Sequence, residues 1–461
     1  MHKVIFNGET LFAEPGCLLS DVLIDAGKSV EHPCGGMGLC RKCRVIVDGK
    51  EALSCRYHVN SDIVVTVGER ADIVSETGAD ETGKLSENNC FVLDIGTTML
   101  ALALVSLDTK SVVSVKTAVN PQRVFGADVI SRIDYCRRNG VKPLQTPLVA
   151  EINKLISEFC IGKNIPLFVA GNTTMLHLLF GVDCSSIGVS PYTPVFIDTK
   201  TASADELGLI GVTEAASLPG ISSFVGADIV AGINYVEMPK NGKYSFLIDL
   251  GTNAEIALIS DGQVICTSAA AGPCFEGAGI ECGMSASDGA VYSFSDGKAK
   301  TINDAPAKGL CGTGLVDAVA YLLEKELVDD SGYMESERYF ITDSVFISQS
   351  DIRQYQLAKS AVYSAVMTLM QVADISFDDI DKVFISGGFS AKINVSSAVK
   401  TGLLPCAFAD NCVPVNNSSL LGAIKFVTQG NDLSGIINNS EYVDLSLNKA
   451  FSDLFIENMM F

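Results

Sequence analysis

The chain has 461 residues, 48% of them apolar and 19% charged, which is too long for one core and suits two or three domains. Its 33 basic and 54 acidic residues leave a formal charge of −21, which argues against nucleic acid as a partner. Mean hydropathy is +0.30, yet no run of about 18 uninterrupted apolar residues occurs, so no membrane span is expected.

The start, Met1-His2-Lys3-Val4-Ile5-Phe6, reads as a strand and lacks the long apolar core and cleavage site of a signal peptide. With fifteen cysteines in such a chain, reduced thiols or metal ligands in a cytoplasmic protein are expected, not a disulfide framework. Most cysteines are scattered: Cys136, Cys160, Cys184, Cys266, Cys311 and Cys406 sit among apolar neighbours and read as small core residues. Cys17 also reads as packing.

Residues 1–67 read as a small α+β head. Two β-rich runs flank Asn7-Gly8, a two-residue hairpin signal, and Glu14-Pro15-Gly16 ends the second. An apolar helical pattern follows at Leu18, Val22, Leu23 and Ala26, with Gly27 as its stop. A glycine-rich loop then carries Cys34, Cys40 and Cys43; a hairpin over Asp48-Gly49 returns the chain to Cys55, and residues 63–67 close as a strand. This order fits a β-grasp ferredoxin. Each iron of a [2Fe–2S] cluster needs two thiolates, and Gly35, Gly36 and Gly38 let the backbone come close enough to aim N–H groups at the sulfides. The C-x5-C-x2-C spacing has one residue more than the plant type and resembles the adrenodoxin-like group, while the short return to Cys55 resembles the iron–sulfur subunit of succinate dehydrogenase. Zinc held by four cysteines is the alternative, but zinc sites usually pair two short knuckles and only one is present. The head is nearly neutral, with seven Lys/Arg against eight Asp/Glu, so Arg41, Lys42 and Arg44 offer either a docking face for an acidic redox partner or an ordinary mixed surface. Residues 68–90 lose aromatics and gain Gly, Ser, Thr, Asp and Glu, as a flexible linker would.

From residue 91 an α/β pattern begins. An apolar strand runs into Asp94-Ile95-Gly96-Thr97-Thr98 and then a second strand, and the same arrangement returns at Asp249-Leu250-Gly251-Thr252-Asn253. A second echo pairs Phe168–Asn172 with Phe384–Gly388. The repeat divides residues 91–461 into subdomains of roughly 91–240 and 241–461. It resembles the actin, heat-shock ATPase and sugar-kinase superfamily, in which two similar subdomains clamp ATP. That resemblance implies that Asp94 and Asp249 face each other and hold Mg²⁺ largely through water, while Gly96, Thr97, Thr98, Gly251, Thr252 and Asn253 hold phosphates. It also places Gly387 and Gly388 against the nucleotide, Lys359 near the ribose, and Gly312 at a glycine-rich helix start that serves phosphate or merely caps. Asp351 is expected to cap the helix bearing Lys359.

Several motifs narrow the family: Pro33-Cys34-Gly35-Gly36, Asn120-Pro121-Gln122, Gly171-Asn172-Thr173-Thr174-Met175, Gly226-Ala227-Asp228, Ala271-Gly272-Pro273 with Phe275-Glu276-Gly277-Ala278, and Gln356-Leu357-Ala358-Lys359. Together they resemble the reductive activators of corrinoid proteins over nearly the whole chain. The resemblance implies an ATP hydrolase that passes an electron from its [2Fe–2S] cluster to the Co(II) corrinoid of a methyltransferase system, such as an O-demethylase, giving Co(I). It further implies an upstream electron donor and a homodimer, with Asp228 and Glu276 as secondary acid or water-orienting residues. The chain is shorter than the longest members, and no separate middle domain is expected. A plant-type cluster lies near about −400 mV, so the corrinoid step needs help from nucleotide-driven conformational change. The rival readings are an activator of another low-potential metalloenzyme, a small-molecule kinase with a fused redox domain, and a non-catalytic ATP-gated binding module.

Overall fold

The computed structural model describes residues 1–26, 28, 43–67, 77–240, 242–388 and 392–461. At the head, β1 (His2–Phe6), β2 (Glu9–Ala13), α1 (Leu19–Asp25), β3 (Arg44–Val47), β4 (Lys50–Leu53) and β5 (Ile63–Thr66) form one sheet in the order β2-β1-β5-β3-β4. β1 and β5 are parallel and the other pairs antiparallel. Asn7 and Gly8 take φ of 46° and 90°, the two positive values that a tight primed hairpin turn requires. Alternate residues Val4, Phe6, Val45, Val47, Ile63 and Val65 face Leu19 and Leu23 of α1, so the period-two pattern builds the core directly. Gly27 and residues 29–42, including Cys34 and Cys40, lie outside the described residues.

The body has two lobes. In the first, β6 (Asn89–Ile95), β7 (Met99–Ser106) and β8 (Ser111–Val119) form an antiparallel meander. Next come α2 (Val129–Asn139), α3 (Lys142–Ser157), β9 (Ile165–Gly171), α4 (Thr173–Leu179), β10 (Thr201–Ser203), α5 (Ala204–Leu207), β11 (Val212–Ser217) and α6 (Ala227–Tyr235). The second lobe opens with the meander β12 (Tyr244–Leu250), β13 (Ala254–Ser260) and β14 (Gln263–Ala269). A small sheet of β15 (Ala290–Ser295), β16 (Lys298–Thr301) and β17 (Gly309–Leu310), then α7 (Gly312–Glu324), the hairpin β18 (Arg338–Phe340) and β19 (Phe346–Ser348), and the long α8 (Gln349–Val372) follow. β20 (Ile380–Ser386), α9 (Val395–Lys400), β21 (Cys412–Pro414), α10 (Ser418–Gln429), α11 (Ser434–Asn438), β22 (Ser440–Tyr442) and α12 (Lys449–Glu457) complete it.

The two six-stranded sheets run β10-β11-β9-β6-β7-β8 and β21-β20-β12-β13-β14-β22. In each, a parallel strand (β9 or β20) lies beside the first strand of the meander. All seven residues of β6 are buried, which explains why Cys90–Leu93 and Ile95 are apolar on both faces of a central strand, with only Asn89 and Asp94 polar. Each such Phe, Leu or Val is worth about 1.5–3 kcal/mol of burial.

Four details differ from the sequence reading. β6 begins at Asn89, and the described part of the expected tether lies on the first lobe, where Gly83 N–H donates to Val112 O at 2.7 Å. Residues 68–76 lie outside the described residues. Ser348, not Asp351, is the N-cap of α8; Asp351 sits at its third position and its carboxylate accepts from Ser348 N–H at 2.9 Å, which closes a capping box. Cys160 and Cys406 are exposed rather than core residues, whereas Cys136, Cys184, Cys266 and Cys311 are buried. Among the described residues no helix is long and apolar enough to cross a membrane.

α10 follows β21 of the second lobe in sequence yet packs on α6, β6 and β9 of the first. Its contact with α6 is close because Gly422 has no side chain: a Cβ there would lie 1.7 Å from Ala231 O. In an open helix, Gly to Ala stabilises by about 1 kcal/mol. Here the sign reverses, because the helices must separate. We expect Gly422→Ala to destabilise by about 1–3 kcal/mol in urea unfolding, with a lower Tm; a more stable variant would show that the contact is loose.

Candidate functional site

The ends of β6 and β12 carry the two acidic turns, and a cleft between the lobes brings them together. Its walls include Asp94, Gly96, Thr97 and Thr98 from the first lobe and Asp249, Gly251, Thr252 and Asn253 from the second. Asp228, Glu276, Gly312, Gly387 and Gly388 line the same cleft. Gly387 needs to be glycine: its φ is +111° and a Cβ would meet Leu250 O at 2.1 Å. Lys359 is not there. It is buried on α8, where its ammonium bonds the Met460 carbonyl and lies 5.3 Å from the Phe461 ring centre, and burial pulls its pKa down to about 8. Phe461 also stacks on Tyr355 at 6.2 Å, so the C-terminal turn covers this face of the helix.

The hydrogen bonds show how the turns are held. Glu276 Oε2 accepts from Thr98 Oγ1 at 3.0 Å and from Thr252 Oγ1 at 2.8 Å, one threonine from each lobe. Asp94 accepts from Asn417 Nδ2 and Ser419 Oγ, each at 2.7 Å. Arg132 of α2, fully buried, donates to the Thr97 carbonyl at 2.5 Å and to Gly126 O at 2.9 Å, which fixes the first turn from behind. Burial lowers its pKa to about 9. Asn172 Nδ2 adds a 3.3 Å bond to Thr97 Oγ1. Asn417, Ser419, Arg132 and Glu255 were not singled out by sequence reasoning. The polar run Asn416-Asn417-Ser418-Ser419 before an apolar helix was the available signal, and as a helix cap it looks ordinary.

Five carboxylates converge on the cleft: Asp94, Asp228, Asp249, Glu255 and Glu276, and none of the residues named as its lining is basic. Burial, then the charges of Asp249 and Asp94, raise Asp228 to about 7. Burial and Asp94 raise Asp249 to about 6, against a lowering hydrogen bond from Ser386. Glu255 is raised well above the usual range by burial, then by Asp228 and Asp249. Asp94 is raised by burial and partly restored by Ser419 and Asn417. Among the described residues no group of three or more His, Cys, Asp or Glu is arranged to hold a metal ion directly. Acidic oxygens with no basic residue in the described lining suit a hard divalent cation that keeps its waters, which Asp94, Asp228 and Asp249 could hold. Thr174 Oγ1, also lining the cleft and buried, has no hydrogen-bond partner among the described residues.

At the head, Cys43 and Cys55 are buried, and their sulfurs lie 3.2 Å apart. Cys43 precedes β3 and Cys55 follows β4, and the hairpin between them brings the two sulfurs together: Ser54 N–H donates to Cys43 O at 2.9 Å. Two adjacent thiols fit a shared metal atom.

Raised carboxylates have a consequence for stability. Their protons are taken up on folding, so their contribution is fully present below about pH 4 and is lost as pH rises through about 6 and 7 for Asp249 and Asp228. Without divalent cation, Asp228→Asn should therefore raise Tm at pH 8 and leave it nearly unchanged at pH 4. Equal shifts at both pH values in thermal melts would contradict the raised carboxyl.

The comparisons follow this division of the chain. Residues 90–241 match the family model described as the RACo middle region, and residues 243–461 match that described as the C-terminal domain of RACo, the ASKHA domain. The expectation of no separate middle region is thereby corrected: residues 90–241 are that region. The chain is 27% identical to the corrinoid activation enzyme RamQ of Eubacterium limosum over 80% of this chain and 69% of the relative. It is 24% identical to the [Co(II) methylated amine-specific corrinoid protein] reductase of Methanosarcina barkeri over 79% and 75%. The solved structure of a reductive activator for a corrinoid, iron–sulfur protein is 25% identical, covering 100% of this chain and 98% of that one with a TM-score of 0.73. The chain belongs to the family of reductive activators of corrinoid proteins.

Proposed function

We propose that this protein uses ATP to drive reduction of a Co(II) corrinoid, held on the corrinoid protein of a methyltransferase system, to Co(I). The observation that carries the reading is the cleft itself, in which two Asp-x-Gly-Thr turns from two lobes converge with five carboxylates and no basic lining residue. A relative named for reducing a Co(II) corrinoid protein supports the substrate class. The β-grasp order of the head, and the adjacent thiols of Cys43 and Cys55, support a ferredoxin-like domain over residues 1–67.

In this reading Cys34, Cys40, Cys43 and Cys55 would hold a [2Fe–2S] cluster, the adjacent Cys43 and Cys55 forming one part of its ligand set. When bound, the cluster supplies a one-electron donor of low potential. In the body, Thr98 and Thr252 release Glu276 and turn their hydroxyls to the phosphates of ATP, aided by Gly96, Thr97, Gly251 and Asn253. Asp94 and Asp249 orient the water shell of Mg²⁺, as carboxylates do for a cation that dehydrates reluctantly. Glu276, freed from the two threonines, and Asp228 are placed to orient the attacking water. Gly312, Gly387 and Gly388 leave room for the nucleotide, while Lys359 takes no part unless the C-terminal turn moves. Because Glu276 bridges the lobes only while both threonines point at it, nucleotide binding changes which lobe arrangement is favoured by as much as its affinity differs between the two. A soluble homodimer in the cytoplasm, fed by an upstream electron donor, completes the proposal.

The test follows the cobalt spectrum. Wild-type protein with a corrinoid methyltransferase component, ATP and a reductant should produce Co(I), and Cys43→Ser should abolish that while retaining at least part of the ATP hydrolysis. Unchanged cobalt reduction in the variant would remove the electron-donor assignment.

A further inference from the structure

The junction between β21 and α10 touches both acidic strands. Asn417 Nδ2 and Ser419 Oγ each donate to a different oxygen of Asp94, both at 2.7 Å, so the carboxylate is gripped from two sides. Ser418, between them, faces the other way. Its Oγ lies 2.7 Å from Ser386 Oγ at the end of β20, and its N–H donates to the same oxygen at 3.3 Å. Ser386 pairs in register with Asp249 on the neighbouring strand. A path therefore runs from Asp249, through its register partner Ser386 and then Ser418, to Asn417, Ser419 and Asp94. It joins the two lobes along the cleft wall.

We propose that Asn417 and Ser419 are positioning residues for nucleotide turnover, which hold Asp94 at a fixed place relative to Asp249; this rests on the ATPase reading above. The physical argument is one of donors. A carboxylate beside Asp228 and Asp249 tends to swing away from its neighbours, and among the described residues lining the cleft no cationic side chain restrains Asp94. Two neutral hydrogen bonds restrain it without neutralising the charge needed for the cation's water shell. The bonds come from α10, which packs on the first lobe, while their anchor at Ser386 belongs to the second. The geometry of Asp94 is thus tied to the relation between the lobes.

The test uses variants that spare the helix. Asn417 is the N-cap of α10, accepting from Leu420 N–H at 2.8 Å, and serine caps as well as asparagine but is too short to reach Asp94. Asn417→Ser and Ser419→Ala in the full chain should each lower kcat for ATP hydrolysis by about tenfold to a hundredfold, as loss of a hydrogen bond to a charged group does. KM for ATP and Tm should stay within about twofold and about two degrees, since packing and phosphate donors are untouched. A kcat within twofold of wild type in both variants would overturn the proposal, as would a loss that appears only in KM or only in step with a fallen Tm. If wild type itself hydrolyses no ATP, the ATPase reading fails and takes this inference with it; the wild-type rate thus separates the two failures.

Discussion

The arrangement of the whole body depends on acidic groups that approach one another in a cleft with no cation among its lining residues. Asp94 from one lobe and Asp249 from the other are each raised by burial, and Asp249 is raised further by Asp94. Folding alone does not reward such an arrangement: desolvating like charges costs free energy that a protein recovers only through protonation or a bound cation. The sheets supply the rigid frame that keeps these groups in place. Strand register sets Asp249 beside Ser386 and Asp94 beside Ala170, with glycines closing the ends where a backbone passes near.

Contacts run from the cleft into α2. Its first residue, Val129, lines the cleft, and Arg132 one turn later holds the Thr97 carbonyl. Tyr135, one turn further on, has its hydroxyl pKa raised by burial and then by the charges of Asp25 and Asp21 of the head helix α1. A shift of the first acidic turn is therefore felt by α2.

Much of this was legible in the sequence. The strands around Asp94 and Asp249 follow from unbroken apolar runs that end in Gly-Thr, and the hairpins over Asn7-Gly8 and Asp48-Gly49 from residues that tolerate positive φ. What could not be read was long-range. Asn417 and Ser419 look like helix-cap chemistry, and only the fold carries them across to Asp94, more than three hundred residues earlier. Glu276 was legible as a candidate but not as a bridge between two threonines. Lys359 was assigned by analogy of its helix, and the C-terminal turn that covers it leaves no periodic signature that points to α8. The thiols Cys160 and Cys406 share apolar neighbours in sequence with the buried ones, yet they sit at turns that face solvent.

The central claim is that the cleft carboxylates exist to hold a hydrated divalent cation with a nucleotide. The most direct measurement is calorimetric titration of the protein with a non-hydrolysable ATP analogue, with and without Mg²⁺, near pH 6.5 in buffers of different ionisation heat. The account predicts binding that depends on Mg²⁺ and releases protons, because the raised carboxyls ionise when the cation arrives. Binding of equal strength without the cation, or no proton release with it, would contradict the account.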